Sequence, residues 1–343
     1  MKNNIKKIFI TGGAGFIGSH VSEAFFNSFK NSKIIILDKL TYAGNKAFLK
    51  SIIKSKRVKF IKSDILNTKK YSKYLKNCDL AINVAAESHV DNSFLAPLNF
   101  TQTNTLGAHA FFLECIKNKV KKILHVSSDE IYGEKISGTC YEDQLVNPTN
   151  PYSASKAAAE VLINSYKYTY KKEIIIVRAN NIYGVRQYPE KLISTSIVNL
   201  INNKPIPIHG NGQNIRYYLS ALDFTNALIF LVNKKDRGTY NIGSSYYEKN
   251  INIAKKICKI FNKDPDKFIH FTKDRLYNDK RYSVSSRKIR KLGWKPTRSL
   301  IKDLPMIIKW YQKNYKIFKK NEKKNLNLYI RQEKFLEMKE VTY

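Results

Sequence analysis

Two short runs hold a nearly complete set of general acids and bases. Ser127-Ser128-Asp129-Glu130 follows the apolar run Lys122-Ile123-Leu124-His125-Val126, and Tyr152-Ser153-Ala154-Ser155-Lys156 opens a helical pattern further on. Hydroxyls, two adjacent carboxyls, a phenol and an amine can move protons at several atoms of one bound substrate. Neighbouring carboxyls push their pKa values apart, so one can stay protonated while the other ionises. Tyr152 and Lys156 stand four apart, which on a helix puts phenol and ammonium on one face, where the cation favours the phenolate. The same spacing recurs at Tyr42/Lys46, Tyr168/Lys172 and Tyr315/Lys319. Spacing alone therefore carries nothing; what singles out Tyr152 is that it begins the helix after the strand ending in Ser127-Ser128.

A second group belongs to nucleotide chemistry. Thr11-Gly12-Gly13-Ala14-Gly15-Phe16-Ile17-Gly18 joins an apolar strand to a helix. Such a loop lets the backbone approach a pyrophosphate, and the helix N-terminus offers unpaired N–H groups to its charge. Asp38 ends the next strand, where a carboxylate takes the adenosine ribose hydroxyls and repels a 2′-phosphate. That favours NAD over NADP, with Lys39 as the opposing consideration. Asp64-Ile65 follows the third strand, where the carboxylate meets the adenine amino group or, equally, caps a helix. Ala85-Ala86-Glu87-Ser88 follows the fourth, where small residues let a dinucleotide pass.

The elements that must position these groups alternate regularly. Strands are expected at Lys7–Thr11, Lys33–Asp38, Val58–Lys62, Leu80–Val84, Lys122–Ser127 and Glu173–Arg178. Helices are expected at Phe16–Lys30, Asn45–Ser55, Thr68–Lys76, Pro97–Lys117 and Pro151–Tyr170. Strands this apolar, separated by helices, indicate an α/β fold with a doubly wound, Rossmann-like parallel sheet, ligands lying at the C-terminal strand ends. After Asn180 prolines and the Gly210-Asn211-Gly212 turn break the rhythm. Short strands (Ile206–His209, Tyr217–Ala221, Thr239–Ile242) mix with helices (Leu192–Ile201, Asp223–Val232, Ile251–Phe261, Asp303–Phe318) in a smaller α/β lobe. The division is 1–180 mainly NAD-binding domain, 181–318 mainly substrate lobe interleaved with it, and 319–343 a charged extension.

The chain has 343 residues, 43% of them apolar, enough for a sizeable core. Its 61 Lys plus Arg against 27 Asp plus Glu leave +34. The lysines are scattered, with one dense cluster between Lys313 and Lys339, and no zinc-finger or RNA-binding signature accompanies them. A positive field that draws in an anionic substrate is the expectation, with no nucleic-acid partner and no membrane. Cys78, Cys115, Cys140 and Cys258 show neither metal spacing nor a disulfide framework, so no metal is expected and the thiols read as reduced, in a cytoplasmic protein.

With these runs in view, the chain resembles the extended short-chain dehydrogenase/reductases, and within them the nucleotide-sugar 4,6-dehydratases of the dTDP-glucose type. The resemblance runs from about Lys7 to Phe318. It rests on Thr11 to Gly18, Asp38-Lys39-Leu40-Thr41-Tyr42-Ala43-Gly44-Asn45, Ala86 to Asp91, Ser127 to Gly133 and Asn150 to Ala157. Pro189-Glu190-Lys191-Leu192-Ile193, Ile208 to Gly212 and Tyr240 to Gly243 extend it. The resemblance implies that Tyr152, Lys156 and Ser128 oxidise carbon 4 of the glucosyl unit with NAD, that Glu130 takes the carbon 5 proton, and that Asp129 protonates the departing carbon 6 hydroxyl. It places Thr41, Gly44, Thr103, Ser127 and Asn180 with the cofactor. Ser88, His89, Asn181, Lys191, Leu192, Arg216, Asn250 and Arg281 go with the sugar nucleotide. The family is commonly homodimeric, through helices equivalent to Pro97–Lys117 and Pro151–Tyr170. Leu40 to Asn45 leans toward dTDP-glucose, while Arg275-Leu276-Tyr277-Asn278-Asp279 is nearer UDP-glucose relatives. UDP-glucose, or an epimerase of the same superfamily, is the alternative.

Overall fold

The computed structural model describes residues 5–234 and 237–318, so the charged extension expected at 319–343 lies outside the described residues. The strands are β1 (Lys7–Thr11), β2 (Lys33–Asp38), β3 (Val58–Lys62), β4 (Leu80–Asn83), β5 (Lys122–Ser128), β6 (Glu173–Ala179), β7 (Asn181–Tyr183), β8 (Ile206–His209), β9 (Ile215–Ser220), β10 (Gly238–Ile242), β11 (Tyr247–Lys249) and β12 (Ile269–Thr272). The helices are α1 (Phe16–Ser28), α2 (Thr68–Leu75), α3 (Val90–Leu95), α4 (Pro97–Phe100), α5 (Ala108–Lys117), α6 (Pro151–Tyr170), α7 (Leu192–Ile201), α8 (Ala221–Asn233), α9 (Asn250–Ile260), α10 (Pro265–Phe268), α11 (Arg287–Lys291) and α12 (Leu300–Asn314).

One all-parallel sheet, ordered β3-β2-β1-β4-β5-β6-β10, organises the chain. Its strands are apolar on both faces because each face is covered. Ile8, Ile10, Ile34 and Ile36 pack with Phe25 of α1 and Phe224 of α8, while the alternate residues Phe9, Ile35 and Leu37 pack with Tyr71 of α2, Phe111 of α5 and Ile163 of α6. Strand order reverses between β1 and β4, and that switch point opens the crevice where ligands bind in such sheets.

The last strand of this sheet, β10, comes from the second half of the chain. The remaining strands form smaller β11-β9-β7 and β12-β8 sheets. These lean on a separate core that includes Ile197, Ile208, Ile257, Leu304 and Tyr311. Strand β7 starts one residue after β6 ends, so Asn180 is the joint between the large sheet and the smaller one.

Two expected helices form differently. Over Asn45–Ser55 only a 3-10 turn, Lys46–Leu49, is present, followed by further turns. Phe48 packs into the second core, with Trp310 and Phe318, whereas Leu49 and Ile52 belong to the sheet core. A segment divided between two cores cannot keep one helical stripe. Over Pro97–Lys117 the helix is continuous but widens to π geometry at Thr101–Gly107. There Asn104 holds the strand-β4 loop through Glu87 N (2.8 Å) and Glu87 O (2.9 Å), and Ser155 of α6 (2.9 Å). The wide turn sits beside the crevice, as such turns do at functional sites. Elements of three to six residues, such as β7, β11 and α3, are too short to give a periodic signal.

Helix α6 runs over the expected residues. Asn150 caps it through Ser153 N (2.9 Å) in a capping box, with Pro151 in the first turn. Its first turn thereby presents Tyr152 to the end of β5.

Candidate active site

The three glycines of the first loop that line the crevice face different surroundings. Gly12 has φ +64°, and a Cβ there would come within 2.6 Å of Ala85 Cα. A Cβ on Gly18 would run into the carbonyl of Gly12, so α1 lies on β1 only because Gly18 is bare. Gly15 is different: its backbone is extended, and an added Cβ would meet nothing closer than 3.4 Å. Nothing in the protein demands glycine at this position, which faces the open crevice. No side chain caps α1, and no acidic residue stands in its first turn. This bare, uncapped helix end fits a dinucleotide pyrophosphate.

The crevice is lined by Gly12, Gly15, Phe16, Ile17 and Gly18 from the glycine loop and by Asp38, Lys39, Thr41 and Gly44 after β2. Asp64 and Ile65 after β3, Ala85, Ala86 and Ser88 after β4, Thr103, Ser127, Tyr152 and Lys156 complete the expected set in this crevice. The Asp38 carboxylate accepts from Ala14 N (2.8 Å) and Leu40 N (2.7 Å), while burial pushes its pKa up. Asp64 accepts from Leu66 N (2.9 Å) and pairs with Lys39 (2.6 Å); burial works to raise its pKa, but these partners leave it lowered. Asp64 is thus both turn cap and crevice residue.

A second cavity adjoins the first and shares Ser88, Ser127, Tyr152 and Lys191 with it. It contains Ser128, Asp129, Glu130, Asn180, Asn181, Leu192, Arg216 and Asn250. Tyr152 therefore stands where the two open into each other. Burial pushes its phenol above the ordinary value, Glu130 and Asp129 add to that, and the Ser128 hydroxyl opposes it. The expected lowering by Lys156 is not what the geometry produces, because Lys156 Nζ donates to Val126 O (2.6 Å). Burial brings Lys156 down to about 8, with Glu160 holding it up.

Asp129 and Glu130 begin a 3-10 turn, Asp129–Tyr132, whose cap is Ser128 Oγ accepting from Glu130 N (3.2 Å). Both are buried, at 3% and 8% exposure. Asp129 accepts from Asn180 Nδ2 (2.8 Å), yet burial, reinforced by Glu130, pushes it up to about 7. Burial also raises Glu130, but Lys191, Arg216 and Arg275 pull against it, and its buried Oε2 has no hydrogen-bond partner among the described residues. Arg216 pulls on Asp129 as well, so the two carboxyls differ in that Lys191 and Arg275 act on Glu130 while Asn180 donates to Asp129.

Three expected residues lie elsewhere. Asn180 sits at the carboxyls and not in the dinucleotide crevice. His89 is buried against Asp91 (3.3 Å) and faces a neighbouring cavity along α7. Arg281 lines neither cavity; its guanidinium donates to Lys135 O (3.0 Å), Gly138 O (2.9 Å) and Tyr217 Oη (3.0 Å). Arg275, which is not among the expected site residues, lines the second cavity with its guanidinium on Asp91 (2.6 Å). The run Arg275 to Asp279 bore on the choice of nucleotide base and did not single this arginine out. Glu87 and Glu190 face the crevice unexpectedly. Burial pushes Glu87 up to about 7, with Glu190 adding to it, and Glu190 Oε2 has no partner.

The family model for GDP-mannose 4,6 dehydratase matches residues 9–304. A dTDP-D-glucose 4,6-dehydratase of Dictyostelium discoideum is 40% identical, the match covering 90% of this chain and 82% of that protein. The chain belongs to the nucleotide-sugar 4,6-dehydratases of the extended short-chain dehydrogenase/reductase family. Among the dehydratases of this family, the DesIV dTDP-glucose 4,6-dehydratase of Streptomyces venezuelae, solved with NAD bound, superposes with a TM-score of 0.87 at 33% identity, covering 90% of this chain and 97% of that one. A trifunctional UDP-glucose 4,6-dehydratase, epimerase and reductase of Arabidopsis thaliana is 38% identical over 90% of this chain, which spans 47% of that longer protein.

The raised Asp129 has a measurable cost. The folded state holds its proton more tightly than the unfolded chain, so its contribution to stability is complete below about pH 4 and is lost as pH rises through about 7. Asp129→Asn should therefore stabilise the fold at pH 8, by on the order of 2 kcal/mol, and by clearly less at pH 5, where the loss has only begun. An equal difference at both pH values in a thermal melt would contradict the assignment of the proton.

Proposed function

We propose that this chain dehydrates dTDP-glucose to dTDP-4-keto-6-deoxyglucose. The observation that carries the proposal is the pair Asp129 and Glu130, buried side by side in a cavity that opens at Tyr152 onto a dinucleotide crevice. Asp38, the bare Gly15 and the NAD in solved relatives support NAD as the cofactor. Bound there, NAD supplies a hydride acceptor for carbon 4 of the sugar and a hydride donor for carbon 6.

The remaining chemistry falls to side chains. Tyr152, with the Ser128 hydroxyl beside it, takes the proton from the carbon 4 hydroxyl as that carbon is oxidised. The resulting ketone acidifies the carbon 5 hydrogen, and Glu130 removes it as a proton. The electron pair released at carbon 5 forms the double bond to carbon 6 and expels the carbon 6 hydroxyl, which Asp129 protonates so that water leaves; as carbon 6 takes up hydride, the protonated Glu130 would return a proton to carbon 5. Lys191, Arg216 and Arg275 are the cations placed to meet the diphosphate, with arginine able to donate two bonds at once. Asn181, Leu192 and Asn250 complete the sugar-nucleotide side.

UDP-glucose is the second reading. The Arg275 to Asp279 run favours it: Asn278 lines the cavity and accepts from Arg216 Nη2 (3.2 Å). The run from Leu40 to Asn45 and the Dictyostelium relative favour dTDP-glucose.

A homodimer is also proposed, through the packed pair formed by 97–117 and α6. Leu98 (67% exposed), Leu106 (52%), Val161 (64%) and Tyr168 (84%) are apolar surface there that a second copy would cover. Sedimentation at micromolar concentration should find a dimer, and a monomer would contradict it.

Incubating the NAD-loaded protein with each sugar nucleotide should give a 4-keto-6-deoxy product from one or both, with more from dTDP-glucose; no product from either would overturn the proposal. Glu130→Gln should still pass hydride to bound NAD while losing on the order of 100-fold or more in water loss. Normal turnover by that variant would remove Glu130 from its role. For the cofactor, Gly15→Ala should melt like wild type yet bind NAD about tenfold or more weakly in a fluorescence titration, whereas Gly18→Ala should lose stability. Unchanged NAD affinity in Gly15→Ala would show that the pyrophosphate lies elsewhere.

A further inference from the structure

Behind the candidate active site lies a buried polar network whose members line neither cavity. Arg178 of β6 grips Glu160 of α6, donating from Nη2 (2.7 Å) and Nε (3.1 Å) to Oε2. The two side chains are 7% and 3% exposed. Arg178 Nη1 donates to the Tyr132 hydroxyl (2.5 Å), and that hydroxyl donates to Asn241 Oδ1 (2.9 Å). Arg178 pairs in register with Asn241, so the network runs across neighbouring strands β6 and β10 and reaches α6 and the turn after β5 through Glu160 and Tyr132.

What makes this network informative is where its ends lie. Tyr132 is the last residue of the 3-10 turn that begins with Asp129 and Glu130. Glu160 is one helical turn beyond Lys156 on α6, the helix that also carries Tyr152. The head of the carboxyl turn is held by Ser128 Oγ and by Asn180 on Asp129. Its tail is held by the Tyr132 hydroxyl and by Asn147 N donating to Ile131 O (2.9 Å), after which Gly133 turns away with φ +72°.

Resting on the dehydratase reading above, we infer that Tyr132, Arg178 and Glu160 are positioning residues that fix the distance between the Asp129–Glu130 carboxyls and the Tyr152–Lys156 pair. A buried ion pair is weak evidence of stability in itself, because desolvation offsets much of its attraction. This one spans the parts of the site that act at different moments. Tyr152 and Lys156 keep their own anchors, the α6 cap and Val126 O, when the network is cut. The carboxyl turn keeps its head and the backbone tie from Asn147 N to Ile131 O (2.9 Å), but loses its link to β6 and α6. Loosening it displaces the groups needed for elimination and leaves those needed for hydride transfer, and a displacement near 1 Å is enough to cost about 10²-fold.

The test is Tyr132→Phe, which keeps the ring and its stacking under the Arg178 guanidinium (4.8 Å) while deleting the hydroxyl. Arg178→Lys is a second variant, which keeps a cation for Glu160 but loses the fork. In single turnover with the preferred sugar nucleotide, absorbance at about 340 nm reads reduced cofactor and a chemical quench reads the 4-keto product. For both variants the reduced cofactor should appear within about twofold of the wild-type rate. Product should form about 10- to 100-fold more slowly, so that reduced cofactor accumulates above the wild-type level. If the two signals fall together in proportion to a lowered melting temperature, or if neither changes, the network is only structural and the inference is wrong. Wild-type protein that forms no 4-keto product would overturn the underlying dehydratase reading separately.

Discussion

Two adjacent carboxyls are buried at the end of β5, and much of the second half of the chain is arranged around the cost of that burial. Water cannot solvate Asp129 or Glu130, and side by side they resist ionising together. The protein answers asymmetrically. Asn180, at the joint between the large sheet and β7, donates to Asp129, Lys191 and Arg275 direct their charge at Glu130, and Arg216 acts on both. Those cations come from before α7, from β9 and from the loop after β12, so the smaller lobe must fold back over the parallel sheet for the carboxyls to differ. The proposed division into an acid and a base within one short turn rests on that difference in surroundings.

The other half of the site depends on how closely backbone segments approach one another. Gly12 and Gly18 bring α1 against β1 and the β4 loop, and Gly15 leaves the helix end bare. Lys191 reaches back across the crevice to Ser88 O (2.7 Å), and Asn104 of the widened turn fixes the same loop from the far side. The dinucleotide crevice and the carboxyl cavity consequently meet at a fixed place, Tyr152. Its phenol is held neutral by burial and by the neighbouring carboxyls. A positive charge arriving from the crevice side would oppose both effects.

The parallel sheet was legible because its strands repeat one pattern, apolar on both faces and separated by amphipathic stretches. The crevice was legible because glycine, aspartate and small residues sit at strand ends in a known order. Legibility failed where one segment serves two masters. Asn45–Ser55 has a helical pattern but feeds two cores, and Thr101–Gly107 widens so that Asn104 can reach two elements at once. It failed also for long side chains in loops, where local sequence does not say which way a guanidinium turns. Arg275 and Arg281 stand six apart in one loop region, and only tertiary contacts with Asp91 and with the Lys135 and Gly138 carbonyls distinguish them. The pairing of Tyr132 with Arg178 and Glu160 had no local signature, because its members are adjacent only across the sheet.

The central claim is that Glu130 and Asp129 remove water across carbons 5 and 6 while the carbon 4 hydrogen is returned within the same molecule. It is tested most directly by turning over substrate deuterated at carbon 4 in ordinary water, and unlabelled substrate in heavy water, and locating the label in the product by NMR. The account predicts that the carbon 4 deuterium reappears at carbon 6 in the first experiment and that solvent deuterium enters at carbon 5 in the second. Product that keeps its carbon 6 hydroxyl and takes up no solvent label at carbon 5 would contradict it.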